Sequence, residues 1–235
     1  MNNLKFNSMN LSSLEKKIKI EFNNKDLLKQ SLVHRSYLNE NLEFNLEDNE
    51  RLEFLGDAVL EMVVTEYLYN NYPNPEGELT NWRASLVNSK MLTKVANQLE
   101  LNNDLLLSKG ESKDTGRARQ YILANAVEAL IGAIYLDKGY EESSKFIKRE
   151  IIKELPEIIK NKLYHDPKSL FQEKAQDKTG ITPSYKVIKE WGPDHDKNFI
   201  VGVYLEEELV AEGEGISKQA AQEKAAATGL KKKKW

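Results

Sequence analysis

The sequence predicts an all-α domain followed by a small α+β module of the order α-β-β-β-α. Three observations predict it. Residues 11–162 carry long apolar runs at helical spacing and almost no alternating pattern. Composition shifts at Tyr164-His165-Asp166-Pro167, which reads as a linker. Beyond it, three short strand-like runs lie between two helical ones. The expected domains are residues 10–162 and 166–232.

The chain has 235 residues, 40% hydrophobic and 30% charged, as one large or two modest globular domains would be. No run approaches the roughly 18 apolar residues of a membrane span. Met1-Asn2-Asn3-Leu4-Lys5 leads into polar sequence rather than the apolar core of a signal. No membrane partner is expected, and the cytoplasm is the expected compartment. Without cysteine, disulfides, thiolate zinc sites and cysteine nucleophiles are excluded. Only three histidines argue against a histidine-rich metal centre. A net charge of −3 does not advertise nucleic-acid binding, so any such binding must come from local patches or bound cations.

Residues 11–22 read as a short helix, capped by Ser12 or Ser13. Asn24 is placed to cap a second, carrying Leu27, Leu28 and Leu32 and running into His34-Arg35-Ser36-Tyr37. A lone histidine beside an arginine is most often structural. Residues 38–48, rich in Asn and Glu, read as a loop.

The stretch that organises the first domain is residues 49–61, Asn-Glu-Arg-Leu-Glu-Phe-Leu-Gly-Asp-Ala-Val-Leu-Glu. At about 100° per residue, Glu50, Glu53, Asp57 and Glu61 fall within roughly an 80° arc of one helix face. Leu52, Leu55, Val59, Met62 and Val63 take the opposite side. Phe54, Ala58 and Leu60 widen the apolar surface, so this helix is expected to be largely buried. Its carboxylate row is either solvated or paired with Lys and Arg, or else compensated by a divalent cation such as Mg²⁺.

The helix extends through Glu66-Tyr67-Leu68-Tyr69 and stops in Tyr72–Gly77, which holds two prolines. Another helical run starts near Thr80 and carries Trp82, Leu86, Met91, Leu92 and Val95. Residues 101–116 read as a polar connection interrupted by Leu105-Leu106-Leu107. Residues 119–137 form a long apolar helix with Leu123, Val127, Leu130, Ile131 and Ile134 on one face and Asn125 and Glu128 on the other. Gly132 either admits a neighbouring helix closely or merely tolerates packing. Gly139 ends the segment, and a further helix spans about 141–162.

In the second module, Asp166 before Pro167 marks a helix start and Gly180 its end. The strand-like runs are Ser184–Glu190, Asn198–Leu205 and Glu208–Gly213, with a turn-rich loop from Trp191 to Lys197. An Ala-rich helix, Ser217–Leu230, follows, with Ser217 a fitting N-cap. Lys231–Lys234 reads as a solvated basic tail. From Asp166 onward 12 lysines face 12 acids, so any anion binding must rest on how the charge is distributed.

Asn49–Glu61 closely resembles the signature of the ribonuclease III family, endonucleases that cut double-stranded RNA. Ile122–Leu130 resembles the family's second motif, and His34-Arg35-Ser36-Tyr37 is similar to its early HRS element. The second module resembles a double-stranded RNA-binding domain: Gly192-Pro193-Asp194-His195 matches the recognition loop and Ser217-Lys218 the start of the second helix. The likeness spans residues 10 to 230 or so, and its motifs come in the expected order.

The resemblance implies a bacterial-type ribonuclease III. Such an enzyme is a homodimer through its endonuclease domain and takes part in RNA processing, including that of rRNA and mRNA. It hydrolyses phosphodiesters with two metal ions, Mg²⁺ or alternatively Mn²⁺, leaving 5′-phosphate and 3′-hydroxyl ends with short 3′ overhangs. The implied metal ligands are Glu53, Asp57, Asn125 and Glu128, with Asp57 and Glu128 catalytic and Glu50 and Glu76 as supporting acids. The implied RNA contacts are Gln172, Glu173, His195 and Lys218. Lys224, on the same helix as Lys218 but about 120° away, is placed to meet a different phosphate. Gln219 stands where the family commonly has a second lysine. At position 125 the family often has Asp, and here it is Asn. The amide oxygen still accepts or ligates, with one negative charge fewer. Either the change is tolerated, or the chain is a catalytically attenuated or non-catalytic double-stranded RNA-binding protein of the same fold.

Overall fold

Apolar residues at nearly every position from Leu123 to Ile134 demand a helix buried on all sides. In the computed structural model that helix is α7 (Arg117–Glu150), and Leu123, Val127, Leu130, Ile131 and Ile134 are each at most 4% exposed. The structure describes residues 11–113, 115–161, 164, 166–193 and 197–235, apart from the Arg117 side chain. The chain divides into two units at Asn161/Lys162.

In the first unit α4 (Glu50–Asn71) lies across α7 and makes the most extensive helix contact of the chain. α6 (Ser89–Gln98) covers a second side of α7. Around them stand α1 (Leu11–Ile18), α2 (Lys25–Gln30), α3 (Arg35–Glu40), α5 (Glu76–Val87) and α8 (Leu155–Lys160). Asn24 caps α2 as expected, its side chain accepting from Asp26 N at 3.0 Å. No strand occurs among the described residues of this unit; Val33 and Leu106 make an isolated parallel bridge.

Several boundaries differ from the expectation, each for a local reason. α1 stops at Ile18, because Lys19 turns to a φ of 56°, and Ser12 and Ser13 lie inside the helix rather than capping it. Residues 38–40 belong to α3, whose N-cap is His34. The run expected from Thr80 begins at Glu76, directly after Pro75, and is two helices divided at Asn88. The Asn88 side chain caps α6 by accepting from Met91 N at 2.9 Å. As expected, Gly139 breaks α7: its φ of 79° and ψ of −173° are open to glycine because it has no Cβ. The expected helix at 141–162 is interrupted by a 3₁₀ turn at Ile152–Glu154, after which Pro156 sits in the first turn of α8. Proline lacks the N–H an unbroken helix would need and is accepted in a first turn.

The second unit holds α9 (Pro167–Thr179), β1 (Ser184–Trp191), β2 (Asn198–Leu205), β3 (Glu208–Gly215) and α10 (Lys218–Lys233). The strands form an antiparallel sheet in the order β1-β2-β3. Asp166 caps α9 by accepting from Lys168 N and Ser169 N, and Gly180 ends it at φ 71°. Phe199, Val201 and Val203 alternate inward, Val203 packing with Phe171 and Ala225 and the other two with Ala221. α10 lies on β3 so closely that a Cβ at Gly213 would come within 2.2 Å of Ala225 N. The basic tail is solvated at Lys231, Lys232 and Lys234 as expected, but it is helix through Lys233. Beyond it Trp235 packs on Phe171, ring centroids 5.3 Å apart, and Lys233 pairs with Glu208 at 2.9 Å. These two contacts hold the end of the helix against fraying. No helix of the described residues is long and apolar enough to cross a membrane.

Candidate active site and nucleic-acid interface

α4 and α7 meet backbone to backbone at two glycines. A Cβ on Gly56 would fall 1.7 Å from the Glu128 carbonyl oxygen, and one on Gly132 would fall 2.2 Å from the Leu52 oxygen. Of the two readings of Gly132, close approach is therefore the correct one. The crossing puts Glu53, three residues before Gly56, and Asp57, the residue after it, against Asn125 and Glu128 of α7. Asn49 fixes where α4 begins: it is 4% exposed, its amide donates to Ser31 O at 3.2 Å and its N–H to Val33 O at 2.9 Å.

The charges at the crossing are coupled. Burial, with the adjacent charges of Asp57 and Glu53, pushes the Glu128 carboxyl up to about 7. Burial also raises Glu53; the Asn125 side chain, hydrogen-bonded to it, works the other way, and Glu50 and Asp57 add to the rise. Asp57 itself is exposed. The donors brought together are thus three carboxylates and one amide, the hard oxygen set that Mg²⁺ or Mn²⁺ takes. That chemistry fits a divalent ion. In the side-chain positions seen, no three acids or histidines among the described residues converge on a single ligating point.

The other acids of the motif stand apart. Glu50 is exposed, with Arg35 Nη1 at 3.5 Å from its carboxylate. Glu61 is exposed, and Glu76 opens α5 on the wall of a cleft of about 550 Å³ that also includes Tyr69, Tyr72 and Arg83. The carboxylate row of α4 is therefore split: Glu53 turns into the crossing while Glu50, Asp57 and Glu61 meet solvent. His34 is structural. Its Nδ1 lies 2.8 Å from Ser36 Oγ and accepts from Ser36 N, while Ser36 Oγ accepts from Ser108 N at 3.1 Å. Burial, the largest influence, holds its pKa down.

The outer face of α4 differs from the expectation. Phe54 is 83% exposed, Met62 52% and Tyr69 80%, and Ala58 is exposed with them. They form an apolar strip along α4 rather than part of its buried face. The signal was present in the periodicity: from Glu50, Phe54 falls at about 40° and Ala58 at about 80°, beside the acids and away from Leu52 and Val59.

In the second unit Gln172 and Glu173 are exposed on α9. Lys218 opens α10, its Nζ 5.7 Å from the ring of Phe199 at the start of β2, and Ser217 caps the helix by accepting from Ala220 N at 3.1 Å. Gln219 bonds Glu223 within the helix. Lys224 is exposed on a different face from Lys218. His195 lies outside the described residues.

A family model described as Ribonuclease-III-like matches residues 24–155, and one described as Double-stranded RNA binding motif matches residues 167–233. The chain is 43% identical over 222 residues to the Ribonuclease 3 of Borreliella burgdorferi, covering 94% of this chain and 90% of that one. The chain belongs to the ribonuclease III family. It is also 45% identical to the Ribonuclease 3 of Natranaerobius thermophilus, over 91% of this chain and 92% of that one. A solved nuclease domain of ribonuclease III from Campylobacter jejuni superposes with a TM-score of 0.57 at 42% identity, covering 63% of this chain and 99% of that one. As a ribonuclease III with a double-stranded RNA-binding module, it is a metal-dependent endoribonuclease specific for double-stranded RNA.

Proposed function

We infer that Glu53, Asp57, Asn125 and Glu128 hold the divalent ions of this ribonuclease III, Mg²⁺ or alternatively Mn²⁺. Bound there, the ions would activate water and neutralise charge on the oxygens flanking the scissile phosphorus. Glu128 supplies a carboxylate that holds its proton near neutrality and yields it when a cation replaces the repulsion of Asp57 and Glu53. Asn125 keeps the Glu53 carboxylate oriented through its amide. The observation that carries this reading is the coupling of three acids across the glycine crossing of α4 and α7.

Cleavage by this site leaves 5′-phosphate and 3′-hydroxyl ends. Short 3′ overhangs follow if two copies of the chain each cut one strand. The exposed strip of Phe54, Ala58, Met62 and Tyr69 supports a homodimer through the nuclease domain. The Campylobacter jejuni structure is described as showing structural flexibility in a region involved in dimer formation. Gln172, Glu173, His195 and Lys218 contact duplex RNA, read through phosphates and 2′-hydroxyls with little sequence preference. The setting is RNA processing, of rRNA and mRNA, in the cytoplasm.

Incubation of long duplex RNA with Mg²⁺ tests the reading, with Glu128→Gln as control. Short products of defined length that the variant fails to make support it. Tight duplex binding without products would sink it and favour the attenuated RNA-binding protein, for which the specific observation is Asn125 in place of an acid.

A further inference from the structure

The helix α10 carries a second basic surface. Residues 224–235 hold five lysines and no acid. Without those five, seven lysines would face 12 acids from Asp166 onward, so this segment brings the unit from a net negative charge to neutrality. It is not a loose tail. The Trp235 ring on Phe171 and the Lys233–Glu208 pair fix its end to the core and to β3.

That order gives the lysines fixed directions. Lys224 and Lys231, seven residues apart, point within about 20° of each other and about 10 Å apart along the axis. Lys232 and Lys234 extend the patch, and all four are exposed. None of the four makes an ion pair with a described residue; of the run, Lys233 alone does. Lys218 lies about 20 Å up the axis from Lys231, beside Phe199. The two basic surfaces are therefore separate.

We propose that Lys224, Lys231, Lys232 and Lys234 form a second contact surface for the phosphate backbone of duplex RNA, distinct from the edge marked by Lys218. A ridge of unpaired ammonium groups matches repeated phosphates in charge and needs no base readout. It lets one module engage a backbone stretch beyond the one at the start of α10. The inference rests on the reading of this unit as RNA-binding.

Duplex RNA affinity of the full chain, measured against KCl concentration without divalent ions, tests it. The parent is compared with K231Q/K232Q/K234Q, with the corresponding Lys→Arg triple variant and with Lys218→Ala. The Gln variant should bind about tenfold more weakly at the low-salt end, with the slope of log K against log salt reduced by about 1–2. The Arg variant should match the parent. A Gln variant with the parent's affinity and slope overturns the proposal. Equal loss in the Gln and Arg variants marks damage to the Trp235–Phe171 packing and overturns it too. A Gln variant that keeps RNA affinity but loses binding to vesicles of anionic lipid assigns the ridge to a membrane surface instead. If the parent and Lys218→Ala both bind without salt dependence, the RNA-binding reading itself has failed.

Discussion

Gly56 and Glu128 touch through backbone alone: a Cβ on the glycine would sit 1.7 Å from the glutamate's carbonyl oxygen. The oxygen belongs to the buried stretch of α7 from Leu123 to Ile134, so it has little room to retreat. Gly56→Ala should therefore push α4 and α7 apart and separate Glu53 and Asp57 from Glu128. We expect a loss of at least about 3 kcal/mol in urea unfolding, at the upper end of overpacking costs. Cleavage should fall with it, even at temperatures where the variant stays folded. A variant of parental stability and activity would refute the crossing.

Glu128 makes stability depend on pH. Its carboxyl is raised from 4.5 to about 7 in the folded protein. Between those values the native state holds more protons than the unfolded chain, so stability falls as pH rises through that window. Glu128→Gln removes the penalty. Without divalent ions, the variant should exceed the parent by about 1–2 kcal/mol at pH 8, once solvent screening is allowed for, and match it near pH 4. Guanidinium unfolding at the two pH values measures this; a constant difference would contradict it.

Adding Mg²⁺ reverses the sense. The ion favours the ionised carboxylate, so binding near pH 6 should release protons that a calorimetric titration detects as a buffer-dependent heat. Glu128→Gln should show less of that dependence.

Asn125 stands on the Glu53 carboxylate as a hydrogen-bond partner. Asn125→Asp exchanges that partner for a fourth negative charge. Single-turnover cleavage at limiting Mg²⁺ should rise, by up to the about 10–100-fold that such neighbouring groups contribute to metal sites. An Mg²⁺ titration identical to the parent's would show that the amide already serves fully.

Phe54, 83% exposed, is the most prominent apolar group on the outer strip of α4. Phe54→Asp should shift the chain towards monomer in sedimentation equilibrium. Its thermal stability as a monomer should change little, because so little of the ring is buried. A dimer of unchanged affinity would place the interface elsewhere.

Much of this protein could be read locally. Asn24, Asp166, Ser217 and Gly180 cap or end helices where the sequence suggests, and β2 runs over the residues its alternation picks out. Caps and strand alternation depend on neighbours a few residues away, so one chain displays them. Boundaries set by a turn of one residue, as at Lys19 and Asn88, were less legible.

The sequence by itself determined the order of helices and strands, the placing of the acidic motif on one helix and Asn125-Glu128 on another, and the family they suggest. Periodicity, capping and motif spacing are properties of the chain. Only the tertiary structure decided which acid of α4 turns inward. The acids and Phe54 share an arc, yet Glu53 turns into the crossing while Phe54 faces out, because Gly56 and Gly132 let the two backbones meet at one line. Packing alone also brought Asp57 and Glu53 to bear on Glu128, across a separation of over seventy residues. It likewise turned a lysine run that reads as a tail into a ridge, because Trp235 found Phe171. Contacts between residues distant in sequence depend on how faces meet, and no local pattern records that.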